Sequence, residues 1–309
     1  MGTFVGHVFV GLSFLFFGIF LAFRFSWRVL NGQRTQYQEG KRNPGLLGAL
    51  GLIPAEGVMK LLFGTTITLG ELFHPPGVNK FHLYNQADPT FQFVHPNEWQ
   101  HVSMYIFISI SGLLDIISQV CLAKRMVLVE QAATNMIFYV STLVLHFHTH
   151  GKTGVENEVH SLMVLTTFLI ALILTVEIWK PDYRRLWFTK TYLMILLGSW
   201  VLHGAFIIFH PLMGRPYDSN NMSDTMFITT FYCWHLTVDA ALLAAIFGLT
   251  KTLQMLRMRG LPLQRAKHGV SNGLCQLGWN GVGKDPEELE KLILQVVEDR
   301  EKGLEEELL

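Results

Sequence analysis

Long apolar stretches recur along the chain and alternate with shorter segments that hold most of the charged residues. A transmembrane helix needs about 20 mainly apolar residues to cross roughly 30 Å of hydrocarbon. Seven stretches reach this length, at about residues 4–23, 46–69, 99–123, 126–145, 161–179, 186–209 and 226–250. Because a helix satisfies its own backbone hydrogen bonds within the bilayer, the pattern predicts an all-α fold, a seven-transmembrane-helix bundle that occupies residues 1–250.

The composition agrees with this pattern. Half of the 309 residues are hydrophobic and only 16% are charged, which is typical of a multi-pass integral membrane protein. The formal net charge is zero and no basic tract is present, so we expect no nucleic-acid partner and membrane lipids as the surroundings. The three cysteines have no CxxC spacing, which argues against a disulfide framework.

Basic residues occupy alternate connections between the apolar stretches, and Lys and Arg favour the cytoplasmic side. Those after the first, third, fifth and seventh stretches are Arg24, Arg28, Arg34, Lys41 and Arg42; Lys124 and Arg125; Lys180, Arg184, Arg185 and Lys190; and Lys251, Arg257, Arg259, Arg265 and Lys267. The other connections carry only Lys80, Lys152 and Arg215. The bias predicts an outside N-terminus, a cytosolic C-terminus, and a location in the secretory pathway or plasma membrane.

Residues 251–309 are predicted to form a cytosolic tail that contains a short amphipathic helix at about residues 286–300. Asp285 is a suitable N-cap, Pro286 suits the first helical position, and Glu288 completes a capping box. The apolar stripe of this helix consists of Leu289, Leu292, Ile293, Val296 and Val297. The helix either lies against the bundle or the membrane surface, or binds a cytosolic protein partner.

Histidines are concentrated near the outer ends of the predicted spans, and of the 13 histidines only His268 falls on the cytosolic side. The segment LVLHFHTHG carries three of them at alternate positions, His146, His148 and His150. On a helix, His146 and His150 would share a face and His148 would point away, whereas in an extended segment all three would point to one side. The sequence leaves both geometries open.

Ionisable residues also lie deep within the predicted spans. Burying such side chains in lipid costs several kcal/mol each, about 3 on insertion scales, so we expect them to face the interior and to be functional. His235 and Asp239 are one helical turn apart, as in an imidazole held by a carboxylate. The predicted polar core comprises Glu56, Asp115 and Asp239. Glu130 and Glu177 fall near the cytosolic interface and are predicted to be solvated.

Imidazoles from several spans could converge into one site at the outer side of the bundle. The candidate metal ligands are His7, His101, His148, His150, His160 and His235. With carboxylates, such ligands suit zinc first, and copper, iron or haem as alternatives. A proton relay and simple hydrogen bonding between helices remain open as other uses of the same residues.

Short motifs throughout residues 1–250 make the chain similar to the transmembrane protein 45 family, and more closely to the transmembrane epididymal proteins within it. The motifs are MGTFVGH at the start, AEGV at 55–58, HVSMYIF at 101–107, FHTHG at 147–151, VHSLMVL at 159–165, GSW at 198–200 and CWH at 233–235. The resemblance implies a seven-helix membrane protein whose matching positions are His7, Glu56, His101, His148, His150, His160 and His235. It supplies an architecture and little mechanism.

Three functional hypotheses follow. The first is a non-enzymatic membrane protein with a polar, metal-binding core that acts in transport, trafficking or signalling. The second is an intramembrane zinc-dependent hydrolase in which the metal activates water against a lipid amide or ester. The third is a ligand receptor. Whether the chain is an enzyme is left open.

Overall fold

The computed structural model describes residues 3–32, 54–78, 80–85, 89–152, 154–211 and 214–276, with side chains up to residue 257. Within these ranges the chain forms seven α-helices, and its only β-type pairing is an isolated bridge between Tyr84 and Phe93. The helices are α1 Phe4–Leu30, α2 Ala55–Phe73, α3 Pro96–Ile116, α4 Val127–His148, α5 Gly154–Trp179, α6 Arg184–Phe209 and α7 Met222–Gln276. A π-helical turn, Ile117–Cys121, continues α3.

Among the described helices, six are long and apolar enough to cross a membrane. Helix α2 is not among them, because its 19 residues include the charged side chains of Glu56, Lys60 and Glu71. The prediction of an all-helical, multi-pass architecture is confirmed.

The end of the last helix differs from its predicted span. The last helix does not end near residue 250 but continues to Gln276. Its extension begins with KTLQMLRMR, which is rich in residues of high helix propensity. The first part of the second predicted span, residues 46–53, and the predicted tail helix at 286–300 lie outside the described residues.

Glycines allow two pairs of helices to approach closely within the compact unit formed by Met1–Leu253. A Cβ added at Gly198 of α6 would lie 2.1 Å from the backbone nitrogen of Leu15 in α1. A Cβ at Gly112 of α3 would lie 2.5 Å from the backbone nitrogen of Leu61 in α2. Small residues at such contacts let helix backbones pack directly in a membrane, so α1 pairs with α6 and α2 with α3.

A buried lysine fixes the end of α2. The Nζ atom of Lys80, in the connection to α3, donates hydrogen bonds to the carbonyl oxygens of Glu71 at 2.8 Å and His74 at 2.6 Å. A cation at a helix C-terminus satisfies carbonyls that have no partner within the helix. The last turn of α2, and with it Glu71, is therefore held next to α3.

Candidate functional site

Four histidines from four helices meet at one end of the bundle. The ring centroids of His101 and His148 are 5.0 Å apart, those of His148 and His160 are 5.5 Å apart, and those of His7 and His160 are 6.0 Å apart. His101, His148 and His160 are each less than 8% exposed. We call this group the histidine cluster; it joins α1, α3, α4 and α5.

Each imidazole of the histidine cluster is oriented through its Nδ1 atom. His7 and His160 contact the carbonyl oxygens of Thr3 and Glu156, at 3.1 and 2.7 Å. A carbonyl oxygen only accepts, so in the neutral rings Nδ1 carries the proton and Nε2 is left as an acceptor. The Nδ1 atom of His101 lies 3.0 Å from a carboxylate oxygen of Glu71, and that of His148 lies 2.7 Å from the side-chain oxygen of Gln100. These oxygens are acceptors too, so Nδ1 also carries the proton in these two neutral rings.

A cavity of about 70 Å³ lies against the histidine cluster. His7, His101 and His160 line it together with Glu71 and with polar and apolar side chains from deeper in the bundle. Its volume is sufficient for a few water molecules or a small ion. We call it the histidine cavity.

A second cavity, of about 60 Å³, is surrounded by ion pairs. Four carboxylates each have a basic partner: Glu56 pairs with Arg24, Asp115 with Lys60, Glu130 with Arg125 and Glu177 with Lys190. All four carboxylates line this ion-pair cavity, as do Lys60, Lys190, Gln131 and Thr134. The four acids and four bases balance in formal charge.

Lys60 connects three helices in the ion-pair cavity. Its Nζ atom donates to Asp115 Oδ2 at 2.8 Å, to Thr134 Oγ1 at 2.6 Å and to Ser111 Oγ at 3.3 Å. Lys60 is 8% exposed and Asp115 is 3% exposed. Burial of this pair is tolerated because the ammonium group has three partners for its three protons.

A third polar group lies between α6 and α7. The Ser199 hydroxyl contacts Asp239 Oδ2 at 2.6 Å and His235 Nδ1 at 3.0 Å, and His203 Nδ1 contacts His235 Nε2 at 2.9 Å. When Asp239 is ionised it can only accept, so Ser199 donates to it and His235 donates to Ser199. His203 then donates to His235, and the four residues form one directional chain of hydrogen bonds.

The predicted metal ligands therefore do not form a single group. His7, His101, His148 and His160 meet, whereas His235 belongs to the α6–α7 group and His150 lies beside His146 at the end of α4, with ring centroids 5.9 Å apart. The helical geometry holds for the FHTHG segment, since His148 points into the bundle and away from its two neighbours. Among the described residues, no group of three or more His, Cys, Asp or Glu side chains is arranged to hold a metal ion. Binding of zinc stays a prediction.

The polar residues also differ from the predicted single core. Glu56 and Asp115 line the ion-pair cavity, but Asp239 lies with Ser199. His235 and Asp239 face each other one turn apart, as predicted, with Nδ1 and Oδ2 4.0 Å apart, and the Ser199 hydroxyl bridges them. The prediction that Glu130 and Glu177 are solvated is wrong: they are 4% and 1% exposed, because each turns inward to a basic partner.

Sequence reasoning missed three residues of these sites. Lys60 and Glu71 lie on the buried face of α2 at helical spacing with Gly64, and this spacing was the available signal. Glu71 lay beyond the predicted end of its span. Ser199 gave no signal of its own, because a lone serine in an apolar helix is common and its partners belong to another helix.

These features define an all-helical, multi-pass membrane protein with buried polar groups inside its bundle. Residues 128–248 match the model of a family described as "Family of unknown function (DUF716)". The chain is 35% identical over 252 residues to transmembrane epididymal protein 1A of Mus musculus, which covers 81% of each chain. It is 34% identical to transmembrane epididymal protein 1 of Rattus norvegicus, over 81% of each chain, and 34% identical to that of Homo sapiens, over 67% of this chain and 75% of the relative. The chain belongs to the transmembrane epididymal protein family.

Proposed function

We propose that this chain is a membrane transport protein whose pathway runs along the bundle axis through the histidine cavity and the ion-pair cavity, and that protons or other small cations are its substrate. The observation that carries the proposal is that the same helices line both cavities in succession. On α5, for example, His160 and Thr167 face the first cavity, and Ile170 and Glu177 face the second.

Other helices follow the same order. The residues that line first the histidine cavity and then the ion-pair cavity are His7, Val10, Phe14, Phe17 and Leu21 on α1; His101, Ile108 and Asp115 on α3; Leu145, Ser141, Phe138, Thr134 and Gln131 on α4; and Val201, Leu197, Met194 and Lys190 on α6. The spacing of three or four residues is that of one helix face. A single inward stripe on each helix thus connects the two cavities.

An apolar layer separates the cavities. Phe138 lines both, and Phe14 and Phe17 line one each. Three helical residues rise about 4.5 Å, so the layer is roughly one helical turn thick. Thin apolar constrictions gate channels and transporters by excluding water, and Phe138 is the side chain placed to do so here.

The donor set favours small cations. The histidine cluster offers unprotonated Nε2 atoms next to the Glu71 carboxylate, which are acceptors for a proton or a hydrated cation. The histidine cavity is far smaller than the roughly 300–1,000 Å³ that is typical of sites for larger ligands. The zinc hydrolase hypothesis has no ligand set among the described residues to support it and stays a prediction.

The proposal includes the finer features expected from the sequence. Helix α2 also crosses the membrane, because its charges pair inside the bundle, and the bundle then has seven spans. The N-terminus is outside, and the histidine cluster lies toward the outer leaflet. Membership of the transmembrane protein 45 family, and residence in the secretory pathway or plasma membrane, belong to the same proposal.

The test is proton flux in liposomes that contain the purified protein and an internal pH-sensitive dye. A potassium gradient with valinomycin supplies the driving force. Wild type should acidify the lumen faster than protein-free liposomes, and His101→Gln should lower the rate. Phe138→Ala, or Phe138→Leu if the alanine variant fails to fold, should raise the rate by about tenfold, equivalent to a barrier lowered by about 1.4 kcal/mol.

The matched control is Phe147→Ala, on the same helix but 51% exposed and outside both cavity linings. It should leave the flux unchanged. Folded wild-type protein, shown by circular dichroism and a monodisperse elution profile, that gave no flux above empty liposomes would overturn the proposal.

A further inference from the structure

A third cavity, of about 280 Å³, lies between α1 and α2. Its walls are mainly apolar and include six phenylalanines: Phe9, Phe14, Phe16, Phe17, Phe63 and Phe138. Two residues of its lining, Phe16 and Leu62, are 66% and 63% exposed, so the cavity opens sideways at the surface of the bundle. In a membrane protein this surface faces lipid tails. We call it the lateral cavity.

The lateral cavity adjoins the ion-pair cavity. Lys60 and Thr134 line both, and so do Phe17, Phe138 and Met194. The combined space therefore has an apolar arm that opens toward lipid and a polar end inside the bundle. An amphiphilic molecule has the same division.

One buried group in the polar end lacks a partner. Gln131 is 9% exposed and lines the ion-pair cavity, and its Nε2 atom has no hydrogen-bond partner in the described part of the chain. Buried donors are nearly always satisfied, because an unmade hydrogen bond costs the full desolvation of the group. The Gln131 amide thus indicates an acceptor oxygen on a molecule that occupies this space.

The balance of charge restricts the head group. The carboxylates that line the ion-pair cavity are each paired with a base. A head group that stayed bound among these pairs with a net charge, unlike a cation in transit, would need a counter-ion that the lining does not supply. The cavity volume of about 60 Å³ also requires a small head group.

We propose that the lateral cavity and the ion-pair cavity together bind a single-chain lipid with a small, uncharged head group, of the monoacylglycerol type. Its acyl chain enters between α1 and α2, and its carbonyl oxygen accepts a hydrogen bond from Gln131. This site does not depend on the proposed transport function, since lipid binding is measured without ion flux.

The experiment uses the full-length protein in detergent and a monoacylglycerol with a diazirine in its acyl chain. After illumination, mass spectrometry should map adducts to residues of the lateral cavity such as Met59 and Phe63, and unlabelled monoacylglycerol should compete. Gln131→Leu should weaken the competition by about tenfold, the expected effect of one hydrogen bond. Gln92→Leu, at an exposed position, is its control and should change nothing.

A second pair of variants tests the route of the acyl chain. Thr66→Trp fills the lateral cavity and should abolish labelling, whereas Leu69→Trp, on the same helix but outside the cavity lining, should not. Labelling spread evenly over the lipid-facing helices, or unaffected by Thr66→Trp, would overturn the site. Equal competition by a free fatty acid or a lysophosphatidylcholine would overturn the uncharged head group. A cross-linked dimer in place of lipid adducts would identify a second copy of the chain as the occupant and would also overturn it.

Discussion

Replacing Lys60 by methionine would leave the carboxylate of Asp115 buried without its cation. The substitution removes the 2.8 Å ion pair and the hydrogen bonds to Ser111 and Thr134. Breaking a buried ion pair by removing one partner costs about 3–5 kcal/mol, because the remaining charge is not compensated. This cost applies to the Lys60–Asp115 pair because both residues are buried, at 8% and 3% exposure.

The expected change is large enough to measure by thermal unfolding. For a chain of this size, 1 kcal/mol shifts the melting temperature by about 2–4 °C, so Lys60→Met should lower it by roughly 6–20 °C. Unfolding in detergent can be followed by tryptophan fluorescence and by loss of the monodisperse elution peak. The double variant Lys60→Met/Asp115→Leu should recover most of the loss, because it replaces both charges with apolar side chains.

An ion pair whose cation is exposed serves as the control. Arg215 forms two hydrogen bonds of 2.8 Å with Asp224, but the side chain of Arg215 is 56% exposed. Hydrogen bonding to the Asp224 carboxylate raises the pKa of Arg215, so its guanidinium is charged at any physiological pH. Arg215→Met should nevertheless lower the melting temperature much less than Lys60→Met, because water solvates the exposed guanidinium and screens the pair. Equal losses in Lys60→Met and Arg215→Met, or a double variant less stable than Lys60→Met, would refute the reasoning from burial.

Two further substitutions test helix packing and the α6–α7 group. Gly198→Ala should destabilise the protein by about 1–3 kcal/mol, because its Cβ would lie 2.1 Å from a backbone nitrogen of α1. A Cβ at Gly70 would have no atom within 4 Å, so Gly70→Ala should instead stabilise the protein by up to about 1 kcal/mol in the same thermal assay. Melting temperatures that moved in the same direction in both glycine variants would contradict this explanation. Ser199→Ala should cost about 1–3 kcal/mol, because it leaves buried Asp239 without its 2.6 Å donor. The exposed Ser103→Ala should be near neutral, and an equal cost at both serines would refute the bridging role.

The sequence identified the four histidines that meet as candidates, but it did not distinguish them from the other candidate histidines. His7, His101, His148 and His160 were all among the candidates because they lie near span ends on one side. His150 and His235 satisfied the same criterion, yet one lies at the exposed end of α4 and the other pairs with Ser199. Position along a span sets the depth of a side chain; the rotation of the helix about its axis sets its neighbours.

The buried acids illustrate the same limit. Glu130 and Glu177 were assigned to the interface from their position near span ends, and that position alone cannot indicate a cation on another helix. Lys190 is 13 residues from Glu177 along the chain, yet its Nζ atom lies 2.7 Å from the carboxylate. Burial became possible because each acid has a basic partner: Lys190 on another helix for Glu177, and Arg125 in the connection before α4 for Glu130.

The sequence by itself determined the helices, because a run of about 20 apolar residues is a local property and a helix closes its backbone hydrogen bonds within that run. It also set the depth of each side chain along its helix. Only the tertiary structure decided which of them meet, since the glycine contacts at Gly198 and Gly112 set the rotation and spacing of neighbouring helices. The histidine cluster, the ion-pair cavity and the Ser199 bridge each combine residues far apart in the chain, and their proximity is a consequence of that packing.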